Sequence, residues 1–170
     1  WSLLFYSTLM EVLGGKKIIG IDIFVPEDLR EKIAGHVKLS ERIEWIVGSS
    51  IEESTIKNVK SIIGNSKSVM VVLDSFHTHD HVLFELNFYS QFISKGNYLI
   101  WGDTIVEIPE QTHRPRPWGL GNNQKTPLDG FLSKNNRFCL DEVIDNKLLL
   151  TCNIGGYLMA AKNWYWSIII

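Results

Sequence analysis

Short apolar runs that stop on an aspartate punctuate the chain. Lys17-Ile-Ile-Gly-Ile-Asp22, Val69-Met-Val-Val-Leu-Asp74 and Tyr98-Leu-Ile-Trp-Gly-Asp103 share this form, and Arg42-Ile-Glu-Trp-Ile-Val47 closes instead on Gly48, Ser49 and Ser50. Runs of this length, rich in Val and Ile, read as strands buried on both faces. Helix-length segments separate them. Residues 2–14 are apolar nearly all round and stop at Gly14-Gly15, which predicts a buried helix. A second helix follows Pro26, with Glu27 and Asp28 in its first turn, and runs to about Gly35. Residues 52–63 offer Ile56, Val59 and Ile63 to a core, and residues 79–93 carry Val82, Leu86, Tyr89 and Ile93 on one stripe. The alternation β-α-β-α-β-α-β predicts an α/β fold, a Rossmann-like, doubly wound and mostly parallel sheet.

The pattern breaks after Thr104. Residues 105–124 hold three of the five prolines, together with Gly119 and Gly121, and show no periodicity. A loop of that length in a compact domain is expected to be functional, such as an active-site lid. A short helix over 126–134 and a strand over 137–140 follow. Segments 148–152 and 157–160 flank Gly155-Gly156 and read as a C-terminal antiparallel hairpin. Residues 1–162 are thus expected to form one domain. The tail from Asn163 to Ile170 matches no element and stays unassigned.

Composition narrows the function classes. The 170 residues are 45% hydrophobic and 21% charged, an ordinary globular balance. A net charge of −2 without a basic run leaves no electrostatic footprint for nucleic acid. Cys139 and Cys152 are too few for a disulfide framework and form no CxxC, so a reducing cytoplasmic setting is expected. No apolar run approaches the roughly 18–20 residues that span a bilayer. The opening Trp1–Met10 has the length of a signal-peptide core but neither a basic flank nor a small-residue cleavage site.

The strand ends carry the candidate chemistry, because in open α/β sheets they face the ligand crevice. Asp74 and Asp103 are expected side by side there, with His77 three residues beyond the first. Two carboxylates suit a hard cation such as Mg²⁺, which needs few protein ligands beside water and substrate; two helix-capping aspartates without a metal are the plain alternative. His77, His79 and His81 are spaced i, i+2, i+4, which cannot put all three on one helical face, so a zinc site is not expected. His77 suits a general base, whereas a solvated first helical turn accounts for His79. Asp22 either receives the hydroxyls of a nucleotide-like ribose or caps the following helix. Gly48, Ser49 and Ser50 either admit a flat adenine ring or cap the helix at 52, with Glu53 completing a capping box.

Taken together, Ile19-Gly-Ile-Asp-Ile23, Leu73-Asp-Ser-x-His77, His81-Val82 with Glu85-Leu86, Lys95-Gly-x-Tyr98 and Gly102-Asp-Thr104 resemble the cephalosporin hydroxylase / rhamnosyl O-methyltransferase family. The resemblance spans roughly residues 1–160. It implies a class I methyltransferase fold that uses S-adenosyl-L-methionine, often with Mg²⁺. In that family a Gly-Gly-Ser turn precedes the helix that opens this chain, so the strand and glycine loop of the methionine half are expected upstream of Trp1. The 170 residues alone are then expected to bind the cofactor weakly. The resemblance further implies that Asp22 binds the ribose and that Gly48, Ser49 and Ser50 lie by the adenine. Asp74 counts with the cofactor-binding residues and, with Asp103, as a metal ligand. Gly102 stands where the family commonly has a third acidic residue. The layout also resembles catechol-type O-methyltransferases, in which a basic residue three beyond the first metal aspartate takes the substrate proton; His77 has that offset.

The expected activity is therefore a Mg²⁺-assisted O-methyltransferase that uses S-adenosyl-L-methionine, with His77 as catalytic base. Its partner is a small hydroxyl acceptor, a sugar or natural product by resemblance, and self-association is left open. Two rivals stand beside it: a non-catalytic cofactor- or ligand-binding homologue that has lost the metal site, favoured by Gly102, and a metal-dependent hydrolase built on the Asp/His cluster.

Overall fold

The computed structural model describes residues 2–107, 115–148 and 150–162. They divide into two compact units, one ending at Gly64 and the other beginning at Asn65. The tail beyond Lys162, and residues 108–114 of the expected lid, lie outside the described residues.

In the first unit, helix α1 (Ser2–Leu13) precedes strand β1 (Ile18–Asp22), helices α2 (Glu27–Ala34) and α3 (Val37–Ser40), strand β2 (Ile43–Val47) and helix α4 (Glu53–Ile63). The two strands are parallel, with Ile18 opposite Ile43 and Asp22 opposite Val47. Leu4, Ile33 and Ile43 form the buried core, with Leu3, Leu29, Leu39 and Trp45 packed against it. Each such side chain removed from water contributes about 1.5–3 kcal/mol. The expectation that α1 is buried does not hold: only Leu4 and Ser7 are buried along it, and Phe5, Val12 and Leu13 are 61–78% exposed. Ser7 docks the helix instead, its hydroxyl donating to the Leu39 carbonyl at 2.6 Å. The one-turn α3 has too few residues to show a period and went unseen.

The second unit holds strand β3 (Val71–Leu73), helix α5 (His79–Tyr89) continued by a 3₁₀ turn (Ser90–Phe92), strand β4 (Tyr98–Trp101), a 3₁₀ turn (Thr104–Glu107), helix α6 (Leu128–Lys134), strand β5 (Phe138–Leu140), helix α7 (Glu142–Lys147) and strand β6 (Tyr157–Ala160). The sheet order is β3-β4-β6-β5. β3 and β4 are parallel, Leu73 opposite Trp101, and β6 runs antiparallel to both β4 and β5. The stripe expected on α5 is the one the core takes: Val82, Leu86, Tyr89 and Ile93 are all buried. Glu85, on the same face, is buried with them.

The α/β class holds, with parallel and antiparallel strands hydrogen-bonded into two sheets. The C-terminal hairpin needs correction. The described residues among 148–152 form no strand, and β6 pairs antiparallel with β4 on one side and β5 on the other, the latter in the register Phe138 opposite Ala160. The backbone around 152 is spent elsewhere: the Cys152 carbonyl accepts from Ile105 N at 3.0 Å, and Thr151 Oγ1 accepts from Asn153 N at 3.0 Å. Helix α7 fills the connection, capped by Asp141, whose carboxylate accepts from Val143 N and Ile144 N. Cys139 and Cys152 are free and exposed. No helix among the described residues is long and apolar enough to cross a membrane.

Candidate active site

Parallel pairing of β3 with β4 brings two acidic strand ends together. Asp74 follows β3 directly, and Asp103 lies two residues beyond the end of β4. The Gly102 N–H donates to the Leu73 carbonyl at 2.8 Å, extending the ladder to the point where the carboxylates emerge. Asp103 then turns aside with a φ of +49°, the left-handed region that side chains other than glycine, asparagine and aspartate seldom adopt. Its N–H donates to Asn153 Oδ1 at 2.9 Å, a bond that holds the unusual turn. Asn153 was not among the residues expected from sequence; its role depends on a contact fifty positions away.

The site that results contains Asp74, His77 and Asp103, whose donor atoms all lie within 4.8 Å of one another. His77 Nε2 is 3.7 Å from Asp103 Oδ2, and His77 Nδ1 is buried without a hydrogen-bond partner. Removal from water, and next the negative charge of Asp103, raise the Asp74 carboxyl above its ordinary pKa, with His77 opposing them. Two carboxylates facing one another in this way favour a cation or a shared proton between them. Gly102 contributes by having no side chain. A Cβ there would sit 3.1 Å from the Leu73 carbonyl oxygen and 3.2 Å from both Cβ and Cγ of Asp74, so a side chain at this position requires these neighbours to give by a few tenths of an ångström.

An aromatic wall flanks the cluster. Trp118 meets His77 edge-on with centroids 4.9 Å apart and meets Phe76 at 5.7 Å. The Arg116 guanidinium lies over the Trp118 ring at 5.2 Å. Phe76 remains 47% exposed. Trp118 belongs to the proline-rich stretch, so composition pointed to the loop but not to the residue.

The three histidines part company. His77 joins the aspartates. His81, which is mostly buried, faces Glu85 (Nε2 to Oε1, 3.4 Å), and Glu85 also accepts from Ser75 Oγ at 2.6 Å. His79 corrects the expectation of a solvated, idle side chain. Its Nδ1 lies 2.6 Å from Thr126 Oγ1, and its backbone N–H donates to Asn122 Oδ1 at 3.0 Å. These bonds fasten the described end of the proline-rich loop to the start of α5. Asn123 secures that segment further, being fully buried and donating to the Gly119 carbonyl at 2.9 Å and to Glu107.

The other candidates lie in the first unit. Asp22 and Gly48 share one edge, since Asp22 ends β1 and the Gly48 N–H donates to the Asp22 carbonyl at 2.8 Å. Asp22 does not cap α2: its Oδ1 accepts from Phe24 N at 3.1 Å, and the residue preceding α2 is Pro26. It lines a small pocket of about 160 Å³ with Ser2, Leu3, Leu29, Ile33 and Trp45. Gly48 lets α4 approach, as a Cβ would fall 2.6 Å from Thr55 Oγ1. Ser49 and Ser50 continue that edge as the chain turns toward α4. The capping-box alternative fails, because α4 starts at Glu53 with Glu52 in the cap position and no side-chain cap bond.

The chain matches the family described as rhamnosyl O-methyltransferase/CmcI over residues 1–161 and belongs to it. No curated protein and no solved structure matches. The family is one of methyltransferases, in agreement with the resemblance in the strand-end motifs.

Proposed function

We propose that this member of the rhamnosyl O-methyltransferase/CmcI family transfers a methyl group from S-adenosyl-L-methionine to a hydroxyl of a sugar or small natural product, assisted by Mg²⁺, on a class I, doubly wound framework. The observation that carries the reading is the convergence of Asp74, His77 and Asp103 at one strand edge. The two carboxylates of this set fit a small hard cation. Ligands on opposite sides of Mg²⁺ lie at most about 4.2 Å apart, so a set already within 4.8 Å needs only a slight contraction. Asp74 and Asp103 would hold the ion; bound, it lowers the pKa of a nearby hydroxyl.

His77 is the base in this reading. Imidazole is a poor ligand for Mg²⁺ but titrates in the range needed for proton removal, and the edge of Trp118 fixes its ring. Phe76 and Trp118 give the acceptor an apolar surface beside the base. Asp22 would receive the ribose hydroxyls of the cofactor. Its Oδ1 accepts from the Phe24 N–H, which orients the carboxylate without using all of its acceptor capacity. Gly48 to Ser50 would border the adenine. With the acceptor oxygen deprotonated, in-line attack on the methyl group needs little beyond proximity and alignment.

The test is transfer of a labelled methyl group to a panel of hydroxylated sugars and phenols, with and without Mg²⁺. Transfer that requires Mg²⁺ and is lost in both Asp74→Asn and Asp103→Asn is the expected result. Cofactor binding without transfer to any acceptor would instead identify a binding homologue. Hydrolysis of an ester by the same cluster without the cofactor would identify a hydrolase.

A further inference from the structure

A larger concavity, of about 810 Å³, lies in the second unit between α5 and α6. That is the size of a small-molecule site rather than of a packing defect. One wall is the face of α5 carrying His79, Leu83 and Asn87, continued by Ser90 of the following 3₁₀ turn, and distinct from the stripe of Val82, Leu86 and Tyr89 that enters the core. Leu83, Pro127 and Phe131 supply apolar surface. Among the described lining residues the charge is one-sided: Lys134, Arg137 and Lys162 line the pocket, and none of those described is acidic. In a chain of net charge −2, this is a local reversal of sign.

The fold gathers those cations. α6 closes on Lys134, three residues before Arg137. The β5–β6 register, Phe138 opposite Ala160, sets Lys162 across from the same turn. Arg137 is 5% exposed, and its guanidinium is fixed by donation to the carbonyls of Lys162, Ser90 and Ile93 at 3.3, 3.0 and 2.8 Å. Burial lowers the pKa of that guanidinium. Positive charge in a concavity with low-dielectric walls concentrates anions.

We propose that this pocket binds a small metabolite bearing an oxyanion, phosphate or carboxylate, with its apolar body against Leu83 and Phe131. The proposal is independent of the methyl-transfer reading and needs neither Mg²⁺ nor S-adenosyl-L-methionine.

Titration of the full chain with inorganic phosphate, and separately with acetate, followed by amide NMR at constant ionic strength against chloride, tests it. The expected result is a saturable shift of the Gly130, Ser133, Asn135 and Asn136 amides. In the Lys134→Glu/Lys162→Glu variant the midpoint should move up by at least about tenfold, while the rest of the spectrum stays folded. Saturation with phosphate alone assigns a phosphate-bearing ligand, with acetate alone a carboxylate, and with both the shared oxyanion. Shifts that grow linearly, that scatter over surface lysines, or that persist unchanged in the variant overturn the proposal.

Discussion

The imidazole of His77 turns one nitrogen, Nε2, toward Asp103, and buries the other, Nδ1, without a partner. A residue placed only to cap α5 would not be arranged so; the cap position belongs to Thr78, which makes no side-chain cap bond. His77→Ala should therefore lower turnover by about 10²–10⁴ while leaving cofactor affinity nearly intact. Equal single-turnover rates for the variant and the wild type would remove His77 from the chemistry. Asp74 makes an opposite kind of prediction. Its folded pKa is raised above 3.8, so the native state holds this proton more tightly than the unfolded chain. The associated cost is absent at low pH and sets in as pH rises through the folded value. At neutral pH in a chelator, Asp74→Asn should thus melt no lower than the wild type. A clear drop in the melting temperature would mean that the carboxylate stabilises the fold rather than strains it. Asp74, His77 and Asp103 were readable because strand-end acids have a position in the pattern. Asn153 and Trp118 were not, since their roles come from contacts remote in sequence.

At the scale of elements, periodicity identified α5 down to its buried stripe, because a helix that buries one face must repeat. It failed where an element is too short to repeat, as with α3, and at 148–152, whose described residues form no strand. α7 left a trace in Asp141, a capping residue ahead of two N–H groups that it satisfies. The start of α5 changes the expectation for His79. Its bonds to Thr126 and Asn122 tie α5 to the loop segment that carries Trp118. His79→Ala, which removes the ring's bond to Thr126 and keeps the backbone bond to Asn122, should cost about 1 kcal/mol instead of being silent and speed amide exchange across Asn122–Lys125. Unchanged melting and unchanged exchange would return His79 to the role of a solvated side chain.

At the scale of the whole molecule, each unit contains one parallel strand pair whose C-terminal edge carries acidic chemistry: Asp22 beside Gly48 in the first, Asp74 with Asp103 in the second. The alternation of strands and helices announced the α/β class, since buried parallel strands need helical crossovers. It did not announce which strands pair, because an apolar run buried on both faces carries no mark of its neighbour. Two chemically distinct edges predict two separable ligand footprints. Mg²⁺ should protect amides around Leu73–Ser75 and Trp101–Asp103 from hydrogen exchange. Saturating S-adenosyl-L-methionine should instead protect Gly20–Phe24 and Ile46–Ser50. Amides of the second unit that exchange only when it opens as a whole should slow by about a hundredfold at free Mg²⁺ of roughly 100 times Kd. In Asp103→Asn the Mg²⁺ effect should vanish and the cofactor footprint remain, because the substituted carboxylate belongs to the second edge alone. Cofactor protection confined to the second unit, or Mg²⁺ protection that survives Asp103→Asn, would show that the two edges do not divide the ligands in this way.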